Sequence, residues 1–427
     1  MKKYIYPEGI TGHYLAWLMQ FLYGNVDVEF IDDGNRETSL ENFAKKHQGK
    51  NIDIDLALSF LADNYENKLT NMKQNIEKFG FSYKDDSVEW HIQKVCNRVK
   101  QEFIRNEKAV VMIYERMGGG KHNGFLCDEL LKRGVKVVLL CTDINIYEKF
   151  KIYNSERCLV LYWLGVYLKY VDFGELLLEN SDFGLQHKNL IHICHGYRNS
   201  ANLILATRKH IKEACIFEKG HLNQEREEYI PSGYLGFDVM LDKITSAGEG
   251  GANSVLIAPY DMEELRQMSK MIQKILKKYK VILRQRYEFL ELPEYMEILS
   301  SFRGDLCIDA SESFLVSSYQ ESFCIICGKT TSKFTYPLLT KKPAIAILEF
   351  NSKPSELGLV NRAINTDTGL EISSYEAENN ILEILEDIQA NRESWSAKIQ
   401  QYRDENVYNF GRASQWLADY LVAKYHL

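Results

Sequence analysis

A chain of 427 residues, 45% of them hydrophobic, can bury a sizeable core and by length holds two domains with room for a third. Its formal net charge of −7 removes the electrostatic case for duplex nucleic acid as a partner. Local basic clusters such as Lys277-Lys278-Tyr279-Lys280 read as solvated faces. Nine cysteines, scattered through apolar runs (Cys141, Cys158, Cys194, Cys307), fit buried free thiols in a reducing compartment better than a disulfide framework. Cys324 and Cys327 have the CxxC spacing but lie inside an apolar run with no second pair nearby, so they are assigned to the core. Glu8, Gly9, Gly12 and His13 interrupt the apolar N-terminal stretch, and no uninterrupted apolar run reaches ~18 residues. The expectation is a cytoplasmic protein, with the inner face of the cell membrane as the surface it could touch.

In chain order, Lys2 to Tyr6 predicts a strand, residues 7–12 a glycine-bearing turn, His13 to Tyr23 a helix and Val26 to Ile31 a second strand. That is a βαβ unit. Residues 33–107 are rich in Asn, Lys, Glu and Asp with helical periodicity, and predict a helical insertion. From Ala109 the α/β rhythm returns, with strands at Ala109 to Tyr114 and Val135 to Cys141 and a helix between them. The intervening loop Gly118-Gly119-Gly120-Lys121-His122-Asn123-Gly124 is not a Walker loop, because Glu stands at 115 and His122 takes the place of the magnesium-binding Ser or Thr. It lies at the carboxyl end of a parallel strand, where α/β folds bind ligands, so Lys121 and His122 are candidates for acceptor binding, with Gly12 of the first turn. Strands follow at Cys158 to Leu164 and Leu190 to Cys194. The second leads into His195-Gly196-Tyr197-Arg198, a histidine and an arginine at a strand tip, while His192 inside the strand is expected to be a core histidine.

Residues 247–251, Ala-Gly-Glu-Gly-Gly, form the best linker. Beyond it a new series predicts strands at Ser254 to Ala258, Lys280 to Arg284 and Leu306 to Asp309, with an amphipathic helix from Glu263 to Lys278. Then comes strand Phe323 to Cys327, the turn Gly328-Lys329-Thr330-Thr331-Ser332, helix Lys333 to Thr340 and strand Ala344 to Leu348. Three hydroxyl residues at a helix start can satisfy its orphan N–H groups, and the same groups suit a phosphate. Arg284 and Arg286, just past a strand end, could neutralise a diphosphate, or pair with Glu288 or Glu291 instead. No carboxylate pair stands at a strand end to hold a metal; Asp32-Asp33 is the nearest and falls in a loop.

Two α/β halves, residues 1–245 and 252–405, with a C-terminal helix at 406–427 able to cross back to the first half, predict two Rossmann-like domains facing a cleft, the GT-B architecture. The segment order also resembles the CDP-glycerol glycerophosphotransferases, the teichoic-acid polymerase and primase family. The resemblance rests on His195-Gly196-Tyr197-Arg198 for an HGTP-type motif, residues 233–238 (Gly-Tyr-Leu-Gly-Phe-Asp) for a GxPRxD-type motif, and residues 256–261 for an LYAPTWR-type strand end. It extends to residues 283–286 for a KLHP-type end, and to Gly328 to Ser332 with Lys342-Pro343-Ala344-Ile345 for an SDYSS turn and its KPVI strand. It covers about residues 190 to 350. Tyr197 replaces Thr, no Pro follows Tyr234, the basic end of the APTWR segment is absent, and Gly328-Lys329 replaces a Ser-Asp pair.

The resemblance implies a transferase that moves a polyol-phosphate or sugar from a nucleotide-activated donor, CDP- or CMP-linked, onto a cell-surface glycan such as a capsule or teichoic acid. It implies His195 as base on the acceptor hydroxyl, and an imidazole pKa of ~6.5 suits that task. His13, beside the first glycine turn, is the alternative base. Arg284, Arg286, Lys329, Thr330, Thr331 and Ser332, with Gly233 and Asp238, are the expected donor-binding set, and Arg198 belongs with the acceptor. Phosphate charge met by arginine, lysine and a helix dipole needs no metal cofactor. Two other readings stay open: a nucleotide-sugar 2-epimerase-like enzyme, with Glu115 and Asp143 as its carboxylates, and an inactive GT-B module that binds a glycan or a partner.

Overall fold

The structure, a computed structural model, describes all residues except 59–63, 85–87, 116–122, 180–184, 186, 194–212, 220–227, 248–252, 286, 311–315 and 348–363. Its strands form three sheets whose described ladders are all parallel. The first has four strands, β1 (Lys2–Tyr6), β2 (Asp27–Phe30), β3 (Asp53–Leu56) and β4 (Ser82–Lys84), in the order β2-β1-β3-β4. The second has seven, β5 (Ala109–Tyr114), β6 (Lys136–Cys141), β7 (Cys158–Tyr162), β8 (Leu176–Glu179), β9 (Leu190–His192), β10 (Glu213–Cys215) and β11 (Tyr229–Ile230), in the order β11-β10-β9-β8-β5-β6-β7. The third has six, β12 (Ser254–Ala258), β13 (Lys280–Arg284), β14 (Leu306–Asp309), β15 (Ser322–Cys327), β16 (Ala344–Ile347) and β17 (Gly369–Ile372), in the order β14-β13-β12-β15-β16-β17.

Counted from its own first strand, the third sheet runs 3-2-1-4-5-6, the doubly wound nucleotide-binding order, and the second repeats it with one strand more. Strands such as β5, β6, β12 and β15 are buried along their whole length, which is why they appear in the sequence as unbroken apolar runs.

The segment 33–107 is not a helical insertion. It does contain the helices Leu40–Lys46, Tyr65–Lys78 and Val88–Arg98, but β3 and β4 lie within it and extend the sheet that β1 and β2 begin. These strands carry polar residues where a buried strand is expected to be apolar: Asp55 is almost fully buried and held by the Lys3 ammonium at 3.0 Å. The first βαβ unit therefore belongs to a separate sheet. That sheet meets the second through the helices Gly9–Tyr23 and Val88–Arg98, which add Tyr14, Leu15, Leu18, Ile92 and Val95 to the cluster containing Val111, Ile113, Leu140 and Leu161.

A further cluster spans the second and third sheets, joining Met112, Leu139 and Ile191 to Leu256, Ile325 and Ala344 and to Leu417 and Leu421 of the C-terminal helix Ala413–Tyr425. The start of that helix is clamped. Asp238, buried, accepts the N–H groups of Ala413 (3.1 Å) and Ser414 (2.7 Å), while the Ser414 hydroxyl accepts the Phe125 N–H at 3.0 Å. Farther along, the Lys424 ammonium and the Tyr420 hydroxyl both reach Glu213 of β10. The Lys342-Pro343 pair also has a structural task. The Lys342 ammonium donates at 2.9 Å to the carbonyls of both Tyr319 and Gln320, closing the end of the helix Val316–Glu321.

Two outcomes follow. Asp238→Ala should cost about 1–3 kcal/mol in urea unfolding and speed amide exchange in the first turn of the C-terminal helix, because two buried N–H groups lose their acceptor. Burial pushes the Lys342 ammonium down from 10.5 to about 8. Between those values the unfolded chain binds a proton that the folded chain lacks, so this contribution to stability rises with pH through that window and is absent below it. The stability of the native chain measured against Lys342→Met should therefore increase between pH 8 and pH 10.

Candidate functional site

In a doubly wound sheet the ligand crevice lies outside the carboxyl ends of the two strands where the winding reverses. In the third sheet these are β12 and β15, which pair in parallel up to Ala258 and Cys327. The chain leaves β12 through Pro259, Tyr260 and Asp261 into the helix Met262–Ile275, and leaves β15 through Gly328 to Thr331 into the helix Ser332–Thr340.

One carboxylate joins the two turns. Glu264, only 1% exposed, accepts the Tyr260 N–H at 2.8 Å and the Lys329 N–H at 3.0 Å. Burial raises its pKa, against the pull of those two hydrogen bonds. A Cβ added to Gly328 would sit 2.7 Å from the Glu264 carboxyl atoms, so the bare backbone there is a packing requirement. This accounts for glycine where the resembled motif has serine.

The neighbouring side chains are already engaged. The Lys329 ammonium pairs with Asp261 at 2.9 Å and lies 3.9 Å from Glu264, and its hydrogen bond to Asp261 raises its pKa. Asp261 also caps its own helix by accepting the Glu264 N–H at 2.9 Å. Thr330, not Thr331, caps the second helix: its hydroxyl accepts the Ser332 N–H at 3.3 Å and lies 3.2 Å from the Ser332 hydroxyl, while the Thr331 side chain makes no capping bond. Lys333, fully buried, points its ammonium at the Gly328 carbonyl. At the end of β13 the Arg284 guanidinium pairs with Asp309 at 2.7 Å, its register partner on β14, rather than with Glu291; Asp309 accepts the Ser318 hydroxyl as well. Beside it Gln285 is buried with neither amide atom hydrogen-bonded. The third sheet thus gathers Lys329, Thr330, Thr331, Ser332 and Arg284 at one edge.

Gly233 and Asp238, expected beside the donor, are given other work. Asp238 holds the C-terminal helix, and a Cβ on Gly233, whose φ is +81°, would lie 2.1 Å from the Tyr408 carbonyl oxygen. Gly12 lies inside the first helix, where a Cβ would meet the Pro7 carbonyl oxygen at 2.4 Å. His13 is an exposed residue of that helix, 3.4 Å from Glu8 and packed on Phe30, so both belong to the first sheet. His195, Arg198, Lys121, His122 and Arg286 lie outside the described residues.

At the reversal of the second sheet, between β5 and β8, is a group that sequence reasoning passed over. Glu179 ends β8 fully buried, in register with His192 on β9, and its carboxylate lies 3.6 Å from the His192 Nδ1. Among the described residues neither oxygen has a hydrogen-bond donor. A carboxyl group removed from water without hydrogen-bond donors is costly to keep there. The signal available was an acidic residue ending the apolar run Leu176 to Leu178. Asp143, by contrast, caps the helix Ile144–Phe150, accepting the Asn145 and Ile146 N–H groups. Among the described residues no group of three or more His, Cys, Asp or Glu could hold a metal ion, and no helix is long and apolar enough to cross a membrane.

No family pattern and no curated protein matches the chain. Solved structures do. A variant of the wall teichoic acid polymerase TagF superposes with a TM-score of 0.51 at 14% identity, covering 86% of this chain and 99% of that one. A UDP-N-acetylglucosamine 2-epimerase superposes with a TM-score of 0.50 at 13% identity, covering 75% of this chain and 96% of that one.

If Glu264 and Gly328 are mutually required, Gly328→Ala should destabilise by about 1–3 kcal/mol. Glu264→Ala should cost a similar amount by stranding two N–H groups. In the double variant the steric part disappears, so denaturant midpoints should give a sum clearly smaller than the two single losses. With two parallel doubly wound sheets and these superpositions, the chain has the GT-B fold.

Proposed function

We propose that the chain is a GT-B transferase that moves a polyol-phosphate or sugar unit from a nucleotide-activated donor, CDP- or CMP-linked, onto a cell-surface glycan from the cytoplasmic side. The observation that carries this reading is the edge of the third sheet, where Lys329 and the hydroxyl-bearing helix start Thr330 to Ser332 flank a strand reversal suited to a nucleotide. A donor phosphate takes the place of Asp261 beside Lys329, and the released Asp261 is then an acceptor for a ribose or sugar hydroxyl. Arg284 and Arg286 complete the charge balance without a metal. When a polyol-phosphate is moved from a CDP-linked donor, the acceptor oxygen forms its bond to the β-phosphorus as the bond to CMP breaks; when a sugar is moved, it forms its bond to the anomeric carbon as the bond to the nucleotide breaks; in both the acceptor proton passes to His195. Glu179 and His192 act as positioning residues on β8 and β9, the second of which leads to residue 195.

A second reading is favoured by one observation. The buried Glu179–His192 pair brings a carboxyl group and an imidazole together at the carboxyl ends of β8 and β9, two groups able to carry a proton to or from a sugar carbon, as in a 2-epimerase.

Thermal shift with CMP, CDP, UDP, GDP and ADP tests both. A nucleotide at 100 times its dissociation constant should stabilise the chain by about 2.7 kcal/mol, and Lys329→Ala should diminish the shift. A cytidine preference supports the transferase. A uridine preference, with solvent deuterium entering the sugar of UDP-N-acetylglucosamine and lost in Glu179→Gln, supports the epimerase. No shift with any nucleotide overturns both and leaves a binding module.

A further inference from the structure

We propose that Gln285 reads the ribose of the donor and makes the site selective for ribonucleotides; this rests on the nucleotide reading of the third sheet given above. Gln285 is the first residue past β13, and its N–H donates to the Asp309 carbonyl at 2.9 Å, so the backbone there is still tied to β14. The side chain is only 4% exposed, and among the described residues neither its amide oxygen nor its amide nitrogen has a hydrogen-bond partner.

That combination is costly. A carboxamide withdrawn from water gives up its hydrogen bonds, and buried polar groups are otherwise almost always partnered. The core does not call for an amide: Leu283, two residues earlier, packs with Val255, Ile257 and Leu265 as an apolar strand residue should. Nor does the neighbouring ion pair use it, since Arg284 is held by Asp309, which also accepts the Ser318 hydroxyl. The amide keeps both its donor and its acceptor capacity for a ligand.

Its position selects the part of the nucleotide. In dinucleotide-binding sheets of this order the phosphates lie at the first turn, and the residue that hydrogen-bonds the ribose follows about 20 residues on, at the end of the second strand. β13 is the second strand of the third sheet, and it lies on one side of β12 as β15 lies on the other. The end of β13 is therefore two strand spacings, about 10 Å, from the end of β15 and its turn Lys329 to Ser332. An extended nucleoside diphosphate covers that distance from its terminal phosphate to its ribose hydroxyls. Adjacent ribose hydroxyls each donate and accept, so the carboxamide oxygen accepts from one while its nitrogen donates to the other. A neutral amide also costs less to bury, when no ligand is bound, than the carboxylate usual at that place. The ribose then belongs to Gln285, and Asp261 is left for a hydroxyl of the transferred group.

Calorimetric titration of the full chain with CDP and UDP, each against its 2′-deoxy form, tests this. The native chain should bind the ribo form of its preferred nucleotide at least about tenfold more tightly than the deoxy form. Gln285→Met, which keeps the length of the side chain and removes both polar atoms, should bind the two forms alike and leave the ligand-free unfolding midpoint no lower. Equal affinity of the native chain for ribo and deoxy forms overturns the assignment. A ribose preference that survives in Gln285→Met does the same. So does a ligand-free midpoint lowered by several degrees in that variant, which makes the amide structural. Failure of the native chain to bind any of these nucleotides removes the nucleotide reading as well, whereas the other overturning results leave that reading standing.

Discussion

The third sheet depends on a carboxylate that water never reaches. Glu264 sits between two turns that the chain order separates widely, and its two oxygens hold one N–H from each. Burial disfavours the charged form there and the two N–H donors favour it, with burial the larger effect, while loss of the side chain would leave two buried N–H groups with no acceptor. The same oxygens leave no space for a side chain at Gly328. The reversal point is thus a fixed joint. Lys329 and Asp261 hang from its two sides and meet at 2.9 Å, which ties the two turns together a second time.

Much of this architecture was visible in the residues, for a definite reason. β5, β12, β13 and β14 begin and end where the apolar runs do, or within a residue of it, because a strand is easiest to see where its residues are mostly apolar. β3 and β4 escaped notice because the sequence Asp-Ile-Asp-Leu places a charge on alternate residues and the second of those charges is neutralised by Lys3, a partner that no local window contains. β10 and β11 are too short for any periodicity to appear.

The site shows the same division. A helix beginning in a cluster of hydroxyls at 330–332 could be read locally, and a helix does begin there, though Thr330 does the capping. The partners of those residues could not. Lys329 answers to Asp261 and Glu264 across a long stretch of chain, Arg284 to Asp309 through strand register, and Asp238 to a helix near the far end. Glu179 was missed for the opposite reason: it looks like an ordinary polar strand end, and only its burial without a donor marks it out. Long-range pairing and desolvation are properties of the folded chain, and both are silent in composition and spacing.

The route of the C-terminal segment has a mechanical consequence. The chain leaves the second sheet's layer by the helix Gly236–Ala247, builds the third sheet, and returns through the helix Arg392–Asn406, whose end touches Phe217, Glu218 and Lys219 before Asp238 anchors the last helix. Two halves joined by a single strand of chain can swivel in any direction. Halves joined by two crossings are left with rotation about the line through the crossings, and the apolar cluster shared by the second and third sheets opposes even that.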